Sequence, residues 1–197
     1  MVDDGKWIQA GTVAGANWQN VRTSAGLCFG AGPAASYEDC TACRNNFNNA
    51  KHGARATIHK AAGYFAPSTH EVELVVAVNI SANRVQLYEW LWSVAGSMQI
   101  VRWNGAPGDF KFDLPATGAG AGVPNDGDVM EFRYDATNSA VVVLSCYVNG
   151  NLVATATDNT PQRILSGNPG LSFFAREGSG LSMSSYCFSD WSCFNIA

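Results

Sequence analysis

The sequence predicts an all-β protein built as an antiparallel β-sandwich, and three observations support this class. Segments in which apolar and polar residues alternate recur from about residue 54 to the end, without helical periodicity of useful length. Charged residues make up only 14% of the chain, and 20 of its 197 residues are glycine. Low charge and abundant glycine are typical of short strands joined by tight turns. About ten strands without intervening helices predict two packed sheets.

The strands are predicted one by one from their patterns. From Val72 to Ile80 every second residue is apolar, so one face of this strand is apolar. Residues 140–148 form an almost continuous apolar run, which predicts a strand covered on both faces. The strands predicted in this way cover residues 54–59, 70–80, 84–92, 97–103, 128–135, 140–148, 170–176 and 184–196.

Turns and loops complete the predicted chain. Asn149-Gly150 lies between two apolar pairs and favours a type I′ hairpin turn, because both positions of that turn need a positive φ. Residues 31–53 are interpreted as a long loop with one short helix, within a loop-rich N-terminal region at about 11–53. Neither a repeat nor a linker divides the chain, so one domain over 1–197 is predicted.

Charge and hydropathy limit the partners. The net charge of -4 gives no general attraction for nucleic acid. No run approaches the ~18 apolar residues of a membrane helix, and the acidic segment from Met1 to Gly5 lacks the features of a signal peptide. We therefore expect no nucleic-acid partner and no membrane insertion. Either an export signal has been removed and a new Met supplied, or the protein is made in the cytosol and leaves the cell by another route, such as assembly into a virion.

The cysteines are predicted to be structural, either bonded or buried. Cys40-Thr41-Ala42-Cys43 has the spacing of half a zinc site or of a redox pair, but no second pair follows it. If 184–194 is one strand, Cys187 and Cys193 lie roughly 20 Å apart and cannot bond each other. Cys146 could then form a disulfide with one of them. The six structural cysteines are Cys28, Cys40, Cys43, Cys146, Cys187 and Cys193.

A row of aromatic residues gives the candidate binding face. Tyr88, Trp90 and Trp92 alternate along one predicted strand, so their rings share a face. Sugar rings lie on aromatic side chains while polar side chains bind the hydroxyls; packing of the rings in the core is the alternative. The candidate glycan-binding residues are Arg84, Gln86, Tyr88, Trp90, Trp92 and Trp103. Glu89, on the opposite face, needs a partner if it is buried, and Arg102 is the candidate.

Several short motifs carry a resemblance to a known family. They are Tyr88-Glu89-Trp90, Gln99 to Gly105, Gly108-Asp109-Phe110, Asp126 to Val129, Tyr147 to Val153 and Asn168 to Phe173, with Asn17 to Val21 and 54–59 upstream. In these motifs the chain resembles the concanavalin A-like lectin/glucanase (LamG-like) jelly roll. The resemblance implies that jelly-roll fold over most of the chain. The family includes lectins, glycosidases, polysaccharide lyases and particle-surface modules, so the fold leaves the function open.

The resemblance also implies where catalytic residues would be expected. Glucanases of this family carry two catalytic Glu around an Asp, in the pattern ExDxxE. Glu71 and Glu73 share a strand face, but no Asp or third Glu completes that pattern, so an exposed strand face is the simpler interpretation. No catalytic residue and no cofactor are predicted. Calcium held by Asn125, Asp126 and Asp128 is a weak alternative to a tight turn there.

The sequence therefore predicts a non-catalytic surface or adhesion module. We expect it to be a structural or decoration protein on a particle such as a virion, in an extracellular or virion-surface location. Its expected partners are a glycan and other virion or cell-surface proteins. The alternative is a polysaccharide-cleaving enzyme, a glucanase or a lyase, with an atypical site.

Overall fold

A computed structural model describes residues 5–15, 18–31, 39–65, 69–105, 110–175 and 183–197. Within these ranges the chain forms fourteen strands and two short 3-10 helices, Ala10–Thr12 and Met183–Ser185. The strands are β1 Trp7–Gln9, β2 Val21–Ser24, β3 Leu27–Gly30, β4 Cys40–Arg44, β5 Lys51–Lys60, β6 His70–Ser81, β7 Arg84–Ser93, β8 Met98–Gly105, β9 Phe110–Asp113, β10 Val129–Asp135, β11 Val142–Val148, β12 Asn151–Asp158, β13 Asn168–Ala175 and β14 Tyr186–Asn195. None of the helices in these ranges has the length and apolar content needed to span a membrane.

The strands form two antiparallel sheets of seven strands each. Sheet A has the order β1-β4-β13-β6-β7-β8-β9, and sheet B has the order β12-β11-β10-β5-β14-β3-β2. Strands distant in sequence are neighbours in both sheets, as in β4-β13-β6, which is typical of a double-sheet jelly roll. The predicted all-β sandwich is confirmed.

The core lies between the inner faces of the two sheets. Sheet A contributes Trp90 and Trp92, whose rings stack with centroids 6.4 Å apart, and sheet B contributes Phe132 against Trp90. All three side chains are fully buried. Each buried aromatic ring removes a large apolar area from water, so this layer supplies much of the energy that holds the sheets together.

Two local predictions from the sequence are wrong. Residues 40–44, interpreted as part of a long loop, form strand β4 inside sheet A. Its Cys, Thr and Ala side chains are buried on both faces, so the sequence shows no alternation there. Strand β11, predicted to be covered on both faces, alternates instead between buried and partly exposed residues, and Val143 is 38% exposed.

The predicted type I′ turn between β11 and β12 has the expected geometry. Asn149 has a φ of 52° and Gly150 a φ of 79°. A Cβ atom on Gly150 would meet nothing within 4 Å, so only the backbone conformation opposes a side chain there.

We expect Gly150→Ala to lower the free energy of unfolding by about 1–2 kcal/mol in urea denaturation. The control Asn151→Ala, one residue further along, should change it by less than about 0.5 kcal/mol, and equal effects would contradict this explanation.

Candidate functional site

The predicted aromatic face lies in the core and not on the surface. Tyr88, Trp90 and Trp92 are fully buried and point toward sheet B. Trp103 pairs with Leu87 and therefore lies on the other face of sheet A. The candidate glycan-binding set is thus divided between two faces, and its three strand-β7 rings have no surface to offer a sugar. Arg84 is exposed and Gln86 half-buried, at the other end of strand β7 from Trp92.

The predicted partnership of Glu89 and Arg102 is also wrong, because the two side chains lie on opposite faces of sheet A. Glu89 pairs with Val101, whereas Arg102 pairs with Tyr88 and points into the core. There the Arg102 guanidinium donates to the Asp158 carboxylate and, at 2.6 Å, to the Thr160 hydroxyl. The Tyr88 hydroxyl donates to the same carboxylate at 2.7 Å. Arg102 is therefore part of a buried structural network.

The six cysteines are not paired in disulfides, so Cys146 is bonded to neither Cys187 nor Cys193. Cys40 and Cys43 are three residues apart on strand β4, and alternation along a strand turns such side chains to opposite faces. They therefore do not act together as ligands or as a redox pair. Within the described ranges no group of three or more His, Cys, Asp or Glu side chains could hold a metal ion.

The loop proposed for calcium uses its carboxylates within the protein. Asp128 accepts hydrogen bonds from the Asn125 backbone N–H at 2.7 Å and from the Asn149 side chain at 2.9 Å. Asp126 accepts from the Lys60 backbone N–H at 2.8 Å. These contacts fix the turn before β10 against β5 and β11, which is the structural interpretation of these residues.

A small groove opens on the outer face of sheet A, the face turned away from sheet B. We call it the acidic groove. It has a volume of about 190 Å³ and is lined by Asp39, Glu71, Glu89, Leu91, Gln99, Trp103 and Phe174. No Lys, Arg or His side chain of the described residues lines it. The acidic groove thus combines three carboxyl groups, an amide, apolar walls and one indole ring.

The sheet register explains why these side chains meet. Phe174 pairs with Glu71, and Ser172 pairs with Glu73. On the other side of β6, Glu73 pairs with Leu91, which in turn pairs with Gln99. Glu89 lies one pair further along, opposite Val75. Paired and diagonal side chains on one face of a sheet lie within contact distance of each other.

Glu73 lies between the carboxyls that line the acidic groove, and it is almost inaccessible. Its side chain rises from the same face as Glu71, and Glu89 is its diagonal neighbour across β6 and β7. It is only 1% exposed. Among the described residues no side chain makes a hydrogen bond of normal geometry to its carboxyl oxygens, and the Ser172 hydroxyl on the paired strand is its one weak donor. Glu89, 3% exposed, accepts one hydrogen bond, from the Trp103 indole N–H at 2.8 Å. The sequence interpretation of Glu71 and Glu73 as an exposed strand face is therefore wrong.

Burial and mutual repulsion favour the protonated forms of these carboxyls. Burial, with a further contribution from Glu71, raises the pKa of Asp39 to about 8. Burial alone raises the pKa of Glu71 to about 7. The pKa of Glu73 is raised well above its usual value by burial and then by Glu89, Asp39 and Glu71; the nearby Ser172 hydroxyl acts weakly in the opposite direction. Perturbed carboxyls in a groove are a common property of functional sites.

The N-terminal segment packs behind Trp103, one of the residues that line the acidic groove. Trp18 packs edge-on against Trp103, with ring centroids 4.9 Å apart. Ala10 and Trp18 cover Val85 and Leu87 on the same outer face of sheet A. The described part of the N-terminal segment therefore covers the region of this face around Val85 and Leu87.

A second, wider cleft of about 570 Å³ lies where the edges of the two sheets meet. Trp7 of β1 and Trp191 of β14 form its aromatic side, with ring centroids 4.8 Å apart. The β2–β3 hairpin faces them. We prefer the acidic groove as the functional site, because three carboxyl groups with raised pKa values converge on it, and clustered carboxyls of this kind are a common property of functional sites.

No family model matches the chain, and no curated protein matches it in sequence. Solved structures do resemble it. The carbohydrate binding module CBM66 from Bacillus subtilis superimposes with a TM-score of 0.58 and 12% identity, covering 95% of this chain and 94% of that one. A legume lectin-like domain from Entamoeba histolytica gives 0.57 and 8%, with coverages of 98% and 91%. The Bacillus licheniformis beta-glucanase gives 0.55 and 14%, with coverages of 100% and 95%.

These similarities define the fold. The chain has the concanavalin A-like jelly-roll fold that its sequence motifs predict. Identities this low identify the fold alone, so the function has to be argued from the site.

Proposed function

We propose that this chain is a non-catalytic carbohydrate-binding module that holds a sugar residue in the acidic groove. The observation that carries the proposal is the combination of Trp103, Gln99 and carboxyl groups around one opening on the outer face of sheet A. The fold supports it, because the similar structures include a carbohydrate binding module and a lectin-like domain.

Each part of the acidic groove has a role in this proposal. Leu91, Phe174 and the exposed edge of Trp103 offer apolar contact to the C–H groups of a sugar ring. Gln99 and the carboxyls of Glu71 and Asp39 accept or donate hydrogen bonds to its hydroxyls. The volume of about 190 Å³ is below the roughly 300–1,000 Å³ of pockets that enclose drug-sized ligands. We therefore propose that one residue of a longer glycan enters the groove.

A binding experiment with two groove variants tests the proposal. The first step is a glycan array that finds a ligand, followed by calorimetry. We expect Gln99→Ala and Trp103→Ala each to weaken binding by about tenfold or more, because both side chains contact the sugar. Gln99 is exposed, so its variant leaves the fold intact. The control Trp191→Ala, in the wider cleft, should bind normally. Loss of binding in that control alone would move the site to the wider cleft.

The electrostatics of the acidic groove favour binding over cleavage. Glycoside hydrolysis by two carboxyls needs one protonated acid and one ionised carboxylate that acts as nucleophile or base. Here burial or mutual repulsion raises the pKa of Asp39, Glu71, Glu73 and Glu89 alike. Among the described residues that line the groove there is no cation to hold one of them ionised. The alternative of a polysaccharide-cleaving enzyme predicts new reducing or unsaturated ends on polysaccharides, and such products would overturn the non-catalytic proposal.

We also propose that the module works on a particle surface, such as that of a virion, or outside the cell. The absence of disulfide pairing among the six cysteines supports folding in a reducing compartment, because secreted domains of oxidising compartments commonly pair their cysteines. Assembly into a particle would then bring the module to the outside, where glycans and other surface proteins are its partners. Detection of the chain in purified particles would support this location, and its recovery as a soluble intracellular protein alone would contradict it.

A further inference from the structure

The bulge of strand β6 holds Ala77 in a strained backbone conformation. Between the pairs Val76–Tyr88 and Asn79–Gln86, strand β6 has one residue more than strand β7. Ala77 has a φ of 52°, in the left-handed region that an alanine adopts only at an energetic cost. Such a conformation persists where the surrounding contacts hold it in place.

His52 supplies one of these contacts from across the sandwich. Its side chain, on strand β5 of sheet B, is fully buried. The Ala77 backbone N–H donates to the His52 Nε2 at 3.3 Å, and the His52 Nδ1 lies 2.6 Å from the Asn49 carbonyl oxygen. A backbone N–H can only donate and a carbonyl oxygen can only accept, so Nδ1 carries the proton and Nε2 carries none. The two contacts therefore fit only the neutral imidazole.

The same bulge anchors the segment that leads into strand β13. The Asn79 side chain donates to the carbonyl oxygens of Ala77 at 3.1 Å and of Ser166 at 2.8 Å. Gly167 packs so closely that a Cβ atom on it would lie 2.2 Å from the Ala77 carbonyl carbon. Release of the bulge would therefore also free this segment at the end of the sandwich.

We propose that His52 is an acid-sensitive latch between the two sheets. A proton on Nε2 converts the acceptor of this nitrogen into a second N–H donor. Two donors, the His52 Nε2–H and the Ala77 N–H, then face each other in the core, and the Ala77 N–H has lost its acceptor. A buried donor without an acceptor is unfavourable, so protonation of His52 releases the Ala77 bulge.

The groups around His52 do not favour a positive charge. Among the described residues, Tyr134 of β10 is the titratable side chain that faces the ring, with centroids 4.8 Å apart, and its hydroxyl donates to the Ile164 carbonyl. Lys51 and Asp135 are the next residues along β5 and β10, so they point to the outer face of sheet B, where they pair with each other. The neighbours from the other elements are uncharged: Phe47, Ala77 and Asn195.

The direction of the pH effect follows from this burial. Burial lowers the pKa of His52 to about 4, and the hydrogen bond with Asn49 opposes the shift in part. In the released state the imidazole has its ordinary pKa of about 6.5. The latch is therefore intact above about pH 6.5 and is lost as the pH falls toward 4. Between pH 7.5 and pH 5 the equilibrium constant for release should rise about thirtyfold.

Amide hydrogen exchange followed by NMR tests the latch in the unmodified protein. The protection factor of the Ala77 amide, which corrects for the intrinsic effect of pH, should fall about thirtyfold between pH 7.5 and pH 5. At pH 5 it should be lower than that of the Phe132 amide, which lies between β5 and β11 in the middle of sheet B. The nitrogen chemical shifts of His52 should place the proton on Nδ1. A proton on Nε2, an Ala77 protection factor that is independent of pH, or equal protection of the two amides at pH 5 would each overturn the proposal.

Two variants separate the latch from other effects of acid. His52→Gln supplies an amide oxygen that can accept from the Ala77 N–H and does not titrate, so the pH dependence of Ala77 protection should disappear. His59→Gln removes a histidine that lies next to Asp126 and is 32% exposed, and it should keep that dependence. His70, buried at the start of β6, is present in both variants, so its own response to acid does not distinguish them. A pH dependence that survives in His52→Gln would assign the effect to another group and refute the latch. If His52→Gln does not fold, the measurements on the unmodified protein decide.

Discussion

Replacing Arg102 with methionine is expected to destabilise the sandwich severely. The Arg102 and Asp158 side chains are 1% and 0% exposed. Removal of the guanidinium leaves a carboxylate in the core with only the hydroxyls of Tyr88 and Thr160 and one backbone N–H as donors. An uncompensated buried charge typically costs about 3–5 kcal/mol, and urea denaturation should show a loss of free energy of unfolding of this size.

Two further variants separate the buried pair from ion pairs in general. Lys51→Met removes the partner of Asp135, where the ion pair is 3.6 Å long and its side chains are 33% and 34% exposed. That change should cost less than about 1 kcal/mol, because solvent screens an exposed pair. The double variant Arg102→Met with Asp158→Leu should recover part of the loss, because no buried charge remains. A cost for Arg102→Met no larger than that for Lys51→Met would contradict the structural role of this network.

The sequence predicts the long strands of this fold well for a physical reason. Strands β6, β7 and β10 contain seven to twelve residues in which apolar and polar residues alternate. Alternation over this length predicts a strand and does not fit a helix. Strand β4 begins with four short side chains, Cys40 to Cys43, which are buried on both faces and therefore show no alternation. Its residues resemble a loop in sequence, although the strand lies in the middle of the β1-β4-β13 edge of sheet A.

The inner and outer faces of sheet A cannot be distinguished from the sequence. Alternation correctly groups Tyr88, Trp90 and Trp92 on one face of β7, and Leu87 and Glu89 on the other. Both faces of this strand are buried, because sheet B covers the first and the N-terminal segment with Trp18 covers part of the second. The pattern of apolar residues along β7 therefore does not indicate which of its two faces is open to solvent. This is why the predicted glycan face lies in the core.

The acidic groove escapes sequence-based prediction for a related reason. Asp39, Glu71 and Glu89 are far apart in the chain and meet only through the order β4-β13-β6-β7. A local motif such as ExDxxE cannot reveal such a set. The one signal in the sequence is the acidic residue inside an apolar strand face, Glu89, which needs a partner when buried. The structure gives it the Trp103 indole N–H instead of the predicted Arg102.

The carboxyls of the acidic groove should make the protein less stable as the pH rises, and Glu73→Gln should remove much of this effect. The folded-state pKa of Glu73 is raised well above its usual value, by burial first and then by Glu89, Asp39 and Glu71. A group of this kind is fully accommodated below its unfolded pKa, and stability is lost as the pH rises through the folded pKa. We expect Glu73→Gln to match the unmodified protein near pH 4 and to exceed its free energy of unfolding by about 3 kcal/mol at pH 8.5.

The comparison at each pH isolates Glu73 from the other titrating groups. Burial lowers the pKa of His52 to about 4 and that of His70 to about 4. Through these two histidines the free energy of unfolding falls as the pH drops from about 6.5 toward 4. The effect is equal in both proteins, so it cancels in the difference between them. The control Glu131→Gln should give a difference below about 1 kcal/mol, since Glu131 is held by the Arg133 guanidinium on sheet B.

Urea denaturation at several pH values measures both differences. A Glu73→Gln difference that stays constant from pH 4 to pH 8.5 would show that Glu73 is not held protonated in the folded state, and the electrostatic description of the acidic groove would then be wrong.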